Sequence, residues 1–216
     1  MNRRILLIVA ALGCLLQAPA QAQSTAPGLA ASPSGVVIVE LVNLQCPRCR
    51  AVNDYVPQIE RAARAAGADL RVAPLAWDGQ SAWADRVYYA ARDLFPGTEN
   101  LVREVLFDGI QREGMRFEDL SQVLAYLERR EVPKQLVARF PNFKMSEVAA
   151  YAGTDAPLLS EMKAGRLADL SMAQEVPVFV WVKNGEVVDS VSPATAADPL
   201  EMVQLVLKKL NKPATK

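Results

Sequence analysis

Apolar positions follow two regimes along this chain. Some come in short, dense, β-branched runs, and others recur every three or four residues. Residues 36–42 are apolar at every position except Glu40, the pattern of a central strand covered on both faces. Residues 46–66 read as a helix, with Ile59, Ala62, Ala63 and Ala66 at helical spacing, Pro47 suited to the first turn and Gly67 as a stop. A second short strand follows over residues 69–75, which completes a β-α-β unit.

Residues 80–171 change to a helical period. Leu120, Val123, Leu124 and Leu127 mark one apolar face, Leu101, Val105 and Ile110 a second, and Val87, Ala91 and Leu94 a third. Pro96-Gly97, Gly114, Pro133, Pro141 and Gly153 divide the block into about five or six short helices. Helical spacing assigns Trp77, Trp83, Tyr88 and Tyr89 to core packing, with an apolar surface for unfolded chains as the alternative. The strand regime returns over residues 177–182, Asn184-Gly185 signals a tight hairpin, and residues 186–191 run back. A last helix is capped by Asp198, with Pro199 in first position and Glu201 in a capping-box-like place. Leu200, Val203, Val206, Leu207 and Leu210 form its expected stripe, and Lys208, Lys209 and Lys212 suit its C-terminal end.

The first residues set the expected compartment. Arg3 and Arg4 precede an apolar core over residues 5–16, and Ala20-Gln21-Ala22 offers a small-x-small cleavage site. Those three parts make residues 1–22 a secretory signal peptide, and the apolar core is too short to span a bilayer. Lipid attachment at Cys14 is disfavoured by Ala11, where a larger aliphatic residue is usual. Residues 23–35, rich in Ala, Pro, Ser and Gly, form a flexible lead-in. The expectation is an exported protein.

Charge and composition remove several classes of function. The chain balances 24 basic against 24 acidic side chains without a long block of either sign, which argues against nucleic acid. It has no histidine, so Ser-His-Asp and Cys-His catalysis are excluded and the commonest metal ligand is missing. Covalent haem attachment needs histidine where Arg50 stands.

With Cys14 inside the expected signal peptide, Cys46 and Cys49 are the two sulfhydryls left. They lie where a strand hands over to a helix. Thiol–disulfide exchange needs one exposed thiolate and a second thiol that resolves the mixed disulfide. A helix N-terminus offers Cys46 unsatisfied N–H groups and a positive dipole end, while Cys49 lies one turn deeper. Arg48 adds a permanent positive charge, and the expected Cys46 pKa falls within roughly 3.5–7.5. A purely structural disulfide is the alternative, but a loop this short gains only about 2 kcal/mol. Glu40 is the one charge in an apolar strand. Its two readings are a buried carboxyl of raised pKa that relays protons to Cys49, and a solvated edge residue.

In these features the chain resembles the DsbA-like branch of the thioredoxin superfamily. Cys46-Pro47-Arg48-Cys49 follows the first core strand, Glu40 lies six residues before Cys46, a long helical block separates the two strand regions, and Val176-Pro177 opens the returning strand. The resemblance implies an α/β thioredoxin fold over residues 36–79 and 172–212, with a helical domain inserted at residues 80–171 between its β-α-β and β-β-α halves. It implies catalytic roles for Cys46, Pro47, Arg48, Cys49 and Glu40, and a cis bond at Val176–Pro177 that presents the Val176 backbone to an extended substrate. It also implies cysteine-containing, unfolded or newly exported proteins as substrates, a membrane redox partner, a monomer, and no cofactor beyond the Cys46–Cys49 disulfide. The family usually has histidine at the position of Arg48 and often glycine at that of Glu175, so the redox direction stays open. Three functions fit: a periplasmic oxidase of exported proteins, a periplasmic reductase such as one serving cytochrome maturation, and a non-catalytic chaperone or binding module.

Overall fold

The computed structural model describes residues 34–196 and 198–211. The expected signal peptide, Cys14, the lead-in before Ser34, and Lys212 lie outside the described residues.

The dense apolar runs form one four-stranded sheet in the order β2-β1-β3-β4. β1 (Val36–Val42) pairs in parallel with β2 (Asp69–Pro74) and antiparallel with β3 (Val178–Lys183), so Glu40 lies between Val72 and Phe179. β3 turns into β4 (Glu186–Val191) through Asn184 and Gly185, both at positive φ, the backbone that a two-residue hairpin of the strands' own twist requires.

Helices cover both faces. On one side α1 (Pro47–Asn53), α2 (Val56–Ala65) and α9 (Pro199–Leu210) enclose a core of Ile38, Val52, Ile59, Phe179, Met202 and Val206. On the other side the six helices between β2 and β3 among the described residues share a continuous core with Leu41, Val42, Val178 and Val180. These are α3 (Trp83–Leu94), α4 (Glu99–Gln111), α5 (Leu120–Arg129), α6 (Val132–Arg139), α7 (Met145–Ala152) and α8 (Asp155–Leu170). Tyr88 and Tyr89 of α3 are buried, and their hydroxyls donate to the carbonyls of Val72 and Pro74 at 3.0 and 2.5 Å. These bonds tie the helical block to β2 and satisfy the polar tips of both rings.

Three sequence expectations are corrected. The helix read over residues 46–66 is two helices, because Pro57 in the first turn of α2 lacks an N–H and its ring crowds the carbonyl four residues back. Leu200 is exposed, and Met202 is buried in its place; residues two apart lie nearly opposite on a helix. Trp77 is not core: it is 39% exposed and faces a groove described below. The Asp198 cap is present, its carboxylate accepting from the N–H groups of Leu200 and Glu201 at 2.8 and 3.0 Å.

Gly109 of α4 shows how tightly the helical block is packed. A Cβ there would lie 2.8 Å from the Tyr126 ring and 2.9 Å from the Phe117 ring, both buried. Gly109→Ala is expected to destabilise the protein by about 1–3 kcal/mol despite alanine's better helix propensity, read as a lower denaturant midpoint.

Candidate active site

The chain leaves β1 into a tight turn that Asn43 organises. The buried Asn43 amide donates to the Leu75 carbonyl at 2.8 Å and to Gln80 Oε1 at 2.6 Å, and its Oδ1 accepts from the Gln45 N–H at 2.9 Å. The Cys46 N–H donates back to the Asn43 carbonyl at 3.0 Å. α4 holds the same segment from the other side. Gln111 Nε2 donates to the carbonyls of Leu44 and Cys46 at 2.8 and 3.0 Å, and Arg50 of α1 pairs with Asp108 at 2.9 Å. A helix of only seven residues is thereby fixed at its entrance.

Cys46 is the N-cap of α1, in extended backbone, and its sulfur does what a serine or aspartate oxygen does at other helix starts. Sγ accepts from the Cys49 N–H at 3.4 Å, and as a thiol it donates to the Val176 carbonyl at 3.3 Å. Its pKa is lowered from 9.0 to about 6. The Cys49 thiol, hydrogen-bonded to the Cys46 sulfur, is the largest cause; the backbone N–H groups of Cys49 and Arg48 and the Arg48 charge add to it, against the opposing effect of partial burial. The guanidinium thus ranks below the hydrogen bonds. Arg48 Nη1 lies 2.9 Å from Glu175 Oε2 on the opposite wall.

Cys49 is fully buried, and desolvation pushes its thiol far up. The two sulfurs are therefore unequal, one half-exposed and acidic, the other enclosed and protonated. Both are free thiols in this structure.

Glu40 is 1% exposed, and neither carboxylate oxygen has a hydrogen-bond partner. Desolvation raises its pKa from 4.5 to about 7, against an opposing pull from the Arg103 guanidinium. The solvated edge reading of Glu40 is excluded. Its charge also acts on Cys49, raising that thiol further. Arg103 of α4 is itself buried and donates through Nε to Asn53 Oδ1 at 2.7 Å, at the end of α1. Sequence reading missed it, although a lone cation four residues before Phe107 on an apolar helix was a visible signal. Asn43, Asp108 and Gln111 carried none, because they act through the backbone and an ion pair that only the tertiary fold brings together.

Arg103→Met removes the cation that offsets the desolvation of Glu40. The carboxyl of the variant is expected to titrate higher than about 7, as followed by the carboxyl infrared band in a pH series.

The Val176–Pro177 peptide bond is cis, and the Val176 carbonyl lies 3.3 Å from the Cys46 sulfur. An open groove of about 520 Å³ runs past this point, lined by Cys46, Arg48, Trp77, Gln174, Glu175 and Val176. Pro47 stands on its rim. Among the described residues no group of three Cys, Asp or Glu side chains is placed to hold a metal ion.

No protein-family model matches the chain, and no curated protein sequence does. Solved structures do. DsbA of Pseudomonas aeruginosa superposes with a TM-score of 0.57 at 19% identity, over 86% of this chain and 88% of that one. The oxidoreductase NmDsbA1 of N. meningitidis gives 0.54 at 14% identity, over 85% and 88%. A cytosolic disulfide reductase, DsbM of Pseudomonas aeruginosa, gives 0.55 at 13% identity, over 81% and 98%. The chain shares the fold of these DsbA structures.

Proposed function

We propose that this protein is a thiol:disulfide oxidoreductase that oxidises cysteine pairs of exported proteins in the periplasm. The observation that carries this reading is the inequality of the two sulfurs: Cys46 at a helix start with a pKa of about 6, Cys49 buried and protonated behind it.

Starting from the Cys46–Cys49 disulfide, a substrate thiolate attacks Cys46 Sγ, the exposed sulfur. A substrate–Cys46 disulfide forms, the Cys46–Cys49 bond breaks, and Cys49 leaves as a thiolate. Buried and desolvated, that thiolate takes a proton, and Glu40, with a pKa raised to about 7, carries one in about half of the molecules at pH 7. A second substrate thiolate then attacks the substrate sulfur and expels Cys46. Cys46 is the better leaving group because the first turn of α1 stabilises its anion. Two electrons pass from substrate to protein, and a membrane redox partner returns the dithiol to the disulfide. The chemistry uses the two sulfurs alone and calls for no cofactor.

The groove suits an extended, unfolded substrate. Trp77 offers it an aromatic wall. Stabilising the Cys46 thiolate stabilises the dithiol, which makes the disulfide oxidising. The likeness to a disulfide reductase supports the reverse direction as a second reading. Equilibration with glutathione buffers separates the two. A potential well above the ≈ −270 mV of thioredoxin supports the oxidase, and one at or below it supports the reductase.

A further inference from the structure

The first turn of α1 contains no acidic residue, so the negative charge that meets Arg48 comes from the far wall of the groove. Glu175 lies on the segment between α8 and β3, directly before Val176, whose carbonyl touches the Cys46 sulfur. Its Oε2 lies 2.9 Å from Arg48 Nη1, and both residues line the groove. We propose that Glu175 is a positioning residue that restrains the acidity of Cys46, by holding the Arg48 guanidinium against itself across the groove and away from the sulfur. This inference rests on Cys46 being the exchanging thiol, as proposed above, and deepens that reading by naming what sets its strength.

Arg48 reaches Cys46 in two ways, through its backbone N–H and through its charge. The charge is the smallest of these contributions to the sulfur's acidity, and the guanidinium that carries it is paired with a carboxylate. The groups acting on the sulfur are few. Cys49 and Arg48 belong to α1, Glu175 faces them from the segment before β3, and Glu40 on β1 acts on the buried Cys49. The pair is solvent-exposed, with side chains 39% and 66% accessible, so its effect is modest and salt-sensitive.

Glu175→Gln keeps the shape and removes the charge. Arg48 is then released toward the sulfur, and the Cys46 pKa is expected to fall by roughly half a unit. At neutral pH the glutathione equilibrium moves toward the dithiol by about threefold as a result. The restraint acts through Arg48, so Glu175→Gln introduced into Arg48→Ala is expected to change neither quantity. In about 1 M salt, where charges beyond ~3 Å are screened, the difference between Glu175→Gln and wild type is expected to vanish.

An unchanged Cys46 pKa in Glu175→Gln overturns the proposal. So does an equal fall in the presence and absence of Arg48, because Glu175 would then act on the sulfur directly. Failure of the underlying reading looks different: the wild-type sulfur itself would ionise near the ≈ 8.5 of free cysteine.

Discussion

Replacing Cys49 by alanine turns the protein into a trap. Cys46 keeps its helix start and its access to the groove, so it still exchanges with disulfides, but no neighbouring thiol can resolve the product. Mixed disulfides between Cys46 and cysteine-containing polypeptides accumulate, visible on non-reducing gels and released by dithiothreitol. Cys46→Ser and the Cys46→Ser/Cys49→Ala double variant accumulate none and show no exchange above that of glutathione alone. The trap is also a weaker acid. The Cys49 hydrogen bond is the largest cause of the lowered Cys46 pKa, so the remaining sulfur is expected to ionise roughly one unit above its wild-type value of about 6, still held below ordinary cysteine by backbone N–H groups. A Cys49→Ala protein that captures no polypeptide would favour the binding-module reading.

Neutralising Glu40 has the largest expected effect on stability, and the effect depends on pH. The folded carboxyl binds its proton up to about pH 7, whereas the unfolded carboxyl releases it near pH 4.5. Between those values the folded state holds more protons than the unfolded state, so stability falls as pH rises. The shift corresponds to about 3 kcal/mol for a fully buried group, present below the unfolded pKa and lost as pH rises through the folded one. Glu40→Gln mimics the protonated form and escapes this loss. Its stability relative to the wild-type dithiol is expected to grow by about 3 kcal/mol from pH 4 to pH 8, measured by denaturant unfolding at each pH. Comparing the two proteins cancels the other acids of raised pKa, among them Asp85, Glu99 and Glu161. The same variant is expected to exchange more slowly at neutral pH, because the departing Cys49 thiolate loses its proton source.

Much of the fold was legible because its signals are local. The apolar run around Glu40, the Asn184-Gly185 turn and the Asp198-Pro199 start are each set by a few consecutive residues, and each appears where the pattern placed it. The break between α1 and α2 was missed, although Pro57 signals it, because the apolar spacing runs through it. The site divides in the same way. The cysteine pair at a strand–helix junction is a short-range motif. What surrounds it is not: Gln111 and Asp108 come from α4, and Glu175 from the far wall of the groove. Residues brought together across sequence separations of about sixty to one hundred and thirty positions leave no periodic trace. Arg48 shows the cost of reading a charge without its partner. The sequence assigns its guanidinium wholly to Cys46, while the structure divides it with Glu175.

Ionisation of the Cys46 thiol tests the account most directly. Thiolate absorbance of the reduced protein, followed against pH with Cys46→Ser as the blank, is expected to rise with a midpoint about pH 6. A midpoint at the ≈ 8.5 of an unperturbed cysteine would contradict it, because a sulfur that the first turn of α1 does not hold as an anion cannot serve as the exchanging group proposed here.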